Sequence, residues 1–166
     1  ATVPDWEGRV KAILVLGAGG AARGVAFGLQ SRGIGRILIA NRSRARADEL
    51  AAAFGAPLEA IDWERRSEAV GQADLIVNTT PLGLQGKPPL EMDLSTLRPG
   101  TIVDDINYVP LKTALLAEAE RRGGILVDGL GMLLHQATPG FARWFGVDPQ
   151  VTPALRRLIE TDILQA

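Results

Sequence analysis

The sequence contains no cysteine in its 166 residues. This excludes disulfides, thiolate metal sites and thiol catalysis, and it fits a reducing cytoplasm. Neither sign of charge prevails: the net charge is −1, so no global basic field recommends nucleic acid as a partner. No apolar run approaches the ~18–20 residues needed to cross a bilayer. The opening "ATVPDWEGRVK" lacks the basic and then apolar regions of a secretory leader. Reactive side chains are also scarce, with three lysines, one histidine and one tyrosine. What is present is ordinary for a soluble globular protein: 46% hydrophobic and 22% charged residues. The length suits a single domain, 1–166, able to bury a real core.

Short apolar runs alternate with amphipathic ones. "KAILVLG", "RILIAN", "APLEAI", "DLIVNTT", "TIVDDIN" and "ILVDG" read as six strands. Helical patterns lie in "AARGVAFGLQSRG", "ARADELAAAFG", more weakly in "WERRSEAVGQA", and in "PLKTALLAEAERRGG". Residues 81–100 form a long Pro/Gly-rich connection, and two helical segments within 130–166 finish the chain. Such alternation forces parallel pairing, since each crossover returns the chain to the same edge. The expected fold is α/β, a doubly wound parallel six-stranded sheet in the order 3-2-1-4-5-6. A ligand would bind beyond the carboxyl ends of strands 1 and 4, where the winding reverses.

The first strand runs into "GAGGAA", a G-x-G-x-x-A match at the opening of a helix. Gly17 serves the tight turn, Gly19 the close approach of a pyrophosphate and Ala22 the helix–strand packing. The bland alternative is a glycine-rich βα turn. The end of the second strand decides which dinucleotide is expected. An acidic residue there would accept bonds from the adenosine ribose and repel a 2′-phosphate. The chain instead has Asn41, Arg42, Ser43, Arg44 and Arg46. Each arginine alone reads as a solvated helix start, but the cluster favours NADP over NAD, because guanidinium forks pair with phosphate oxygens.

These stretches, together with "NTTPLGL", "DINYVPLKTALLAEAERRG" and "DGLGMLLHQATPGFARWFGVDP", resemble the nucleotide-binding half of the shikimate dehydrogenase family. The resemblance runs from about Val10 to Pro149, in the family's order and approximate spacing. It implies a Rossmann-like domain acting in NADP-dependent, reversible reduction of 3-dehydroshikimate to shikimate, a step of aromatic amino-acid biosynthesis. By position, Gly17, Gly19, Gly20 and Ala21 would line the pyrophosphate. Asn41, Arg42, Ser43 and Arg46 would hold the adenosine and its 2′-phosphate, and Thr79, Thr80 and Pro81 would pass beside the ribose. Gly129 and Met132 would flank the nicotinamide, while Tyr108 and Gln136 would reach the substrate. His135 sits one residue off the Met132–Gln136 face and is expected to be structural or exposed. Leu130, Leu133, Leu134, Phe141 and Trp144 read as packing residues.

One departure is large. The family places a substrate-binding domain first, and its catalytic lysine–aspartate pair lies there. Here ten residues precede the first strand, so that domain is expected to be missing. Lys11, Lys87 and Lys112 are poor replacements, so no catalytic residue and no metal site is assigned, and the chain alone is expected to lack turnover. The partners implied are shikimate or 3-dehydroshikimate, the missing domain, and a second copy through the C-terminal helices, without nucleic acid or membrane. A kink or break near Thr138–Gly140 and an exposed apolar patch are expected in those helices. Two other readings stay open: a freestanding NADP-binding module without chemistry, and a quinate-using relative.

Overall fold

The computed structural model describes residues 3–165. Six parallel strands, β1 (Ala12–Leu16), β2 (Arg36–Asn41), β3 (Leu58–Asp62), β4 (Leu75–Asn78), β5 (Ile102–Asp105) and β6 (Ile125–Asp128), form one sheet in the order β3-β2-β1-β4-β5-β6. The order matches the one expected from the alternation of apolar runs. A short helix, α1 (Trp6–Arg9), precedes β1. Helices α2 (Gly20–Gln30) and α3 (Arg44–Phe54) return the chain after β1 and β2. The weak pattern after β3 resolves into one α-turn, α4 (Arg66–Ala69), between two 3₁₀ turns. Helix α5 (Ala114–Arg121) connects β5 to β6, and α6 (Gly129–Phe145) and α7 (Pro153–Gln165) follow.

Side-chain alternation along the strands feeds two cores. On one face Ile13, Val15, Ile37 and Ile39 pack against Ala22, Ala26 and Leu29 of α2 and Ala47 and Leu50 of α3. On the other, Leu14, Leu16, Leu38 and Ile76 meet Val70, Leu115 and Leu116. The long connection between β4 and β5 contains no helix, yet it is well packed. Leu94 and Leu97 are buried in the second core, with Leu90 and Met92 packed against it. Its leucines cover the sheet where a crossover helix would otherwise lie.

Two sequence expectations change. The helix after β5 begins at Ala114 rather than near Pro110, because Thr113 caps it by accepting a bond from the Leu116 N–H. Nor does α6 break at Pro139: it is helical from Gly129 to Phe145. Proline lacks the N–H that would bond the carbonyl four residues back. That carbonyl belongs to His135, and the Thr138 hydroxyl donates to it at 3.0 Å. The threonine thus supplies the missing donor.

Helix α6 leaves the sheet after its first turn, where only Gly129 and Leu130 are buried. Leu133 and Leu134 face α7 across a groove shared with Leu155 and Ile159. Trp144, expected to pack, is 79% exposed, and Phe141 is 43% exposed. An exposed apolar patch is therefore present, with the Phe145 ring tilted against Phe141 at 4.5 Å between ring centroids.

On the α2 face, a groove of about 280 Å³ lies over β4, β5 and β6, lined by Trp6, Val25, Leu29, Leu75 and Val127. Asp104 opens into it, and burial, followed by repulsion from Asp105 and Asp128, pushes its carboxyl up to about 7. A carboxyl raised above its unfolded value binds protons more tightly in the folded state. Its penalty is therefore absent at low pH, grows as pH rises from about 4, and is complete above about 7. Asp104→Asn should accordingly stabilise the chain by about 1–3 kcal/mol at pH 8 and by almost nothing at pH 4. Urea titrations at the two pH values read this difference, and an equal gain at both would show that the charge is not the cause.

Candidate functional site

The carboxyl ends of β1, β2, β4 and β5 gather most of the sequence-derived candidates at one edge. Gly17 follows β1 with φ +108°, a conformation that favours glycine. A Cβ there would stand 2.6 Å from the Thr79 hydroxyl and 3.1 Å from the Thr80 methyl. The Thr79 N–H and hydroxyl both donate to the Leu16 carbonyl, at 2.9 and 2.6 Å, so the turns after β1 and β4 are locked together. Internal packing demands Gly17.

Gly19 and Gly20 are different. Gly19 has φ −91° and ψ −165°, which any residue adopts, and a Cβ at either position would meet nothing within 4 Å. The protein's own packing gives no reason for glycine there. The space lies directly over the N-terminus of α2, whose cap is Gly19 and offers no side-chain bond to the first-turn N–H groups. Those donors, with the positive end of the helix dipole, receive no side-chain cap among the described residues. Ala21, in the same first turn, is exposed, and Ala22 is fully buried against the sheet. Helix α3 repeats the theme, because the Ser43 side chain at its cap makes no bond to the first-turn N–H groups.

At the end of β2 the three arginines separate into two kinds. Arg44 Nε bonds Asp48 at 2.9 Å and its Nη1 bonds Asp62 at 2.6 Å, and these carboxylates raise its pKa further. Arg44 is already engaged. Arg42 and Arg46 are exposed and form no ion pair among the described residues. The Asn41 side chain donates to the Ser43 carbonyl at 2.9 Å and fixes the turn that presents them. Arg42 also borders a groove with Trp63, Arg66, Leu82 and Pro88, in which Arg66 stacks 4.4 Å over the Trp63 ring.

A buried polar network that sequence reasoning missed joins the turns after β4 and β5. Asp105, fully buried, accepts bonds from Asn78 Nδ2 at 3.0 Å, the Asn107 N–H at 3.1 Å and the Thr113 hydroxyl at 2.7 Å. Burial raises its pKa, and these three donors oppose the rise. Asn78 Oδ1 accepts from the Thr80 N–H and hydroxyl, while Asn107 Nδ2 donates to the Thr80 and Leu82 carbonyls. The segment Thr79–Leu82, which includes the exposed Pro81, is thus tied to the segment that carries Tyr108. The signal was the acidic pair inside the apolar run "TIVDDIN".

The start of α6 completes the edge. Asp128 caps it, accepting from the Leu130 and Gly131 N–H groups, and its other oxygen accepts from Arg156 of α7 at 2.7 Å. A Cβ on Gly129 would stand 2.1 Å from the Ile106 carbonyl oxygen, so α6 begins in backbone contact with the turn after β5. Met132 and Gln136 lie one helical turn apart on α6, both exposed, and Tyr108 is half-buried after β5. His135 is exposed, as expected. Of the lysines, Lys11 lies at the opposite edge of the sheet, Lys112 pairs with Glu120, and Lys87 is exposed in the β4–β5 connection.

This edge can be set beside known proteins. The family model for shikimate/quinate 5-dehydrogenase matches residues 5–82, and that for the shikimate 5′-dehydrogenase C-terminal domain matches residues 129–159. The NADP(+) shikimate dehydrogenase of Azorhizobium caulinodans is 52% identical over 162 residues, 98% of this chain. The chain belongs to the shikimate dehydrogenase family. Its fold matches the shikimate 5-dehydrogenase of Thermus thermophilus in complex with NADP(H) and shikimate, at TM-score 0.76 and 33% identity over 95% of the chain. It also matches the quinate dehydrogenase of Corynebacterium glutamicum in complex with NAD, at TM-score 0.81 and 27% identity over 94%. The chain spans 58% of the Azorhizobium family member and 55% of each of these two structures.

Proposed function

We propose that the chain is the NADP-binding part of a shikimate dehydrogenase, the enzyme that interconverts 3-dehydroshikimate and shikimate. The observation that carries this reading is the open, uncapped α2 N-terminus behind Gly17, flanked by the unpaired Arg42 and Arg46. Gly17, Gly19, Gly20 and Ala21 would hold the pyrophosphate through backbone N–H groups, which need no side chain and leave room for the ligand. Asn41, Arg42, Ser43 and Arg46 would take the adenosine and its 2′-phosphate. Thr79, Thr80 and Pro81 would border the ribose, held there by the Asn78–Asp105–Asn107 network.

When bound, NADPH supplies a hydride to the substrate carbonyl carbon. Gly129 and Met132 would border its nicotinamide, and Tyr108 and Gln136 would reach toward the substrate. Both stand on segments joined at the Gly129–Ile106 contact, so their spacing is fixed by backbone packing. Retention of these two residues favours a dehydrogenase part over a module that only holds cofactor. The exposed Phe141, Trp144 and Phe145 suit burial against the substrate-binding part of the enzyme or against a second copy of the chain.

Arg42→Gln tests the nucleotide assignment. It should weaken NADP+ binding about tenfold, the worth of a charge-assisted bond at an exposed site, and leave NAD+ binding unchanged. Calorimetry with the two cofactors reads both numbers. An equal loss for both would assign Arg42 to the shared part of the nucleotide instead.

A further inference from the structure

The strand register brings an acid beside the place where sequence alone showed none. Asn41 of β2 pairs with Asp62 of β3, so the Asp62 carboxylate stands one strand away from the Asn41–Arg46 turn. Adjacent strands lie ~4.8 Å apart. In a dinucleotide fold, an acid at the end of the second strand favours a ribose hydroxyl and opposes a 2′-phosphate, and a carboxylate one strand away repels the same phosphate through space. Asp62 is not free, however. Arg44 Nη1 reaches it at 2.6 Å while Arg44 Nε holds Asp48 at 2.9 Å.

The position of Arg44 calls for an explanation. It is the first residue of α3, where a cation opposes the helix dipole, and its i,i+4 partner follows it in the less favourable order. The bridges are also half-exposed, with side-chain accessibilities of 48% for Arg44 and 54% for Asp62. Such pairs add little to stability. The cation is poorly justified as a fold stabiliser and well placed as a neutraliser.

We infer that Arg44 is a specificity residue that acts through Asp62: it masks an acid which, uncovered, would turn the adenosine end from a 2′-phosphate toward a 2′-hydroxyl. The inference rests on the NADP reading of this edge. It separates Arg44 from Arg42 and Arg46, which are left free to meet the phosphate. Because the bridge is exposed, the effect is strongest at low salt and fades as the Debye length shrinks.

The test is a double-mutant cycle on the whole chain, with adenosine 2′,5′-bisphosphate and 5′-AMP as probes and thermal melts to show that each variant is folded. Arg44→Ala should weaken the bisphosphate about three- to tenfold in 20 mM salt and far less in 0.5 M salt, with 5′-AMP unchanged. Asp62→Asn in the Arg44→Ala background should restore wild-type affinity to within about twofold. Arg44→Lys should retain most of the affinity. If the double variant stays as weak as Arg44→Ala, Arg44 meets the phosphate itself and the mask is wrong. If Arg44→Ala binds as the wild type does, Asp62 is too far away to matter. Wild-type chain that binds the bisphosphate no better than 5′-AMP would overturn the NADP reading, and the mask with it.

Discussion

Gly129→Ala should destabilise the chain by more than about 3 kcal/mol, enough to lower the melting temperature by roughly 6–12 °C in a domain of this size. A Cβ at this position would lie 2.1 Å from the Ile106 carbonyl oxygen, 2.4 Å from its carbon and 2.8 Å from the Asn107 carbonyl oxygen. All three are backbone atoms, so no rotamer change relieves the clash. The turn after β5 must move, and Asn107 with it, although Asn107 Nδ2 holds the Thr80 and Leu82 carbonyls. The damage would therefore spread to the turn after β4. Gly19→Ala is the contrasting case: with ordinary backbone angles and nothing within 4 Å, it should cost about 1 kcal/mol or less of stability. It should nevertheless weaken NADP+ binding markedly, since the methyl would stand where the proposed site holds the pyrophosphate. Thermal melts of the two variants, with calorimetry for the second, separate a glycine kept for packing from one kept for a ligand. A Gly129→Ala chain melting with the wild type would mean that α6 begins elsewhere.

The 166-residue chain alone should not turn over shikimate or 3-dehydroshikimate at a useful rate. Hydride transfer to a carbonyl needs a proton donor within hydrogen-bond reach of the reacting oxygen, and such groups are worth ~10²–10⁴-fold. None of the three lysines is placed for this: one is at the far edge, one is paired with Glu120, and one is exposed in a connection. Asp104 has a suitable pKa of about 7, but it opens into the groove beside Trp6 and Leu29, within the sheet rather than beyond its carboxyl ends. Loss of substrate positioning multiplies the deficit. A spectrophotometric assay of NADP+ reduction with shikimate should therefore stay at least 10³-fold, in order of magnitude, below ordinary dehydrogenase turnover of ~10 s⁻¹. Turnover in the ordinary range would show that Tyr108 or another residue at this edge takes the hydroxyl proton in this direction and returns it in the reverse.

The elements most legible in the sequence were those governed by local rules. Short continuous apolar runs marked the strands, and their alternation with amphipathic runs pointed to the sheet order even though the β4–β5 connection carries no helix, because right-handed parallel crossovers leave few alternatives. Gly17 was legible as a turn residue, although its contact with Thr79 was not, since that depends on β1 pairing with β4. The same limit explains Arg44. In the sequence it is one arginine of a cluster, which the family resemblance leaves out of the phosphate set without a reason, and only the β2–β3 register reveals the acid that engages it. Pro139 was read as kinking or breaking the helix because a lost N–H is a local fact, whereas the Thr138 hydroxyl that covers the freed carbonyl and lets the helix run on requires the helix geometry. Trp144 was read as a packing residue on an apolar surface too wide for the sheet to bury, and it is exposed because α6 stands clear of the sheet beyond Leu130.

The central claim is that this sheet edge is built for a dinucleotide carrying a 2′-phosphate, and calorimetric titration of the wild-type chain with NADP+ and with NAD+ at physiological ionic strength tests it most directly. The free Arg42 and Arg46, the masked Asp62 and the uncapped helices α2 and α3 predict that NADP+ binds at least about tenfold more tightly, as two charge-assisted phosphate contacts require. Equal affinity for the two cofactors, or binding of neither, would contradict it.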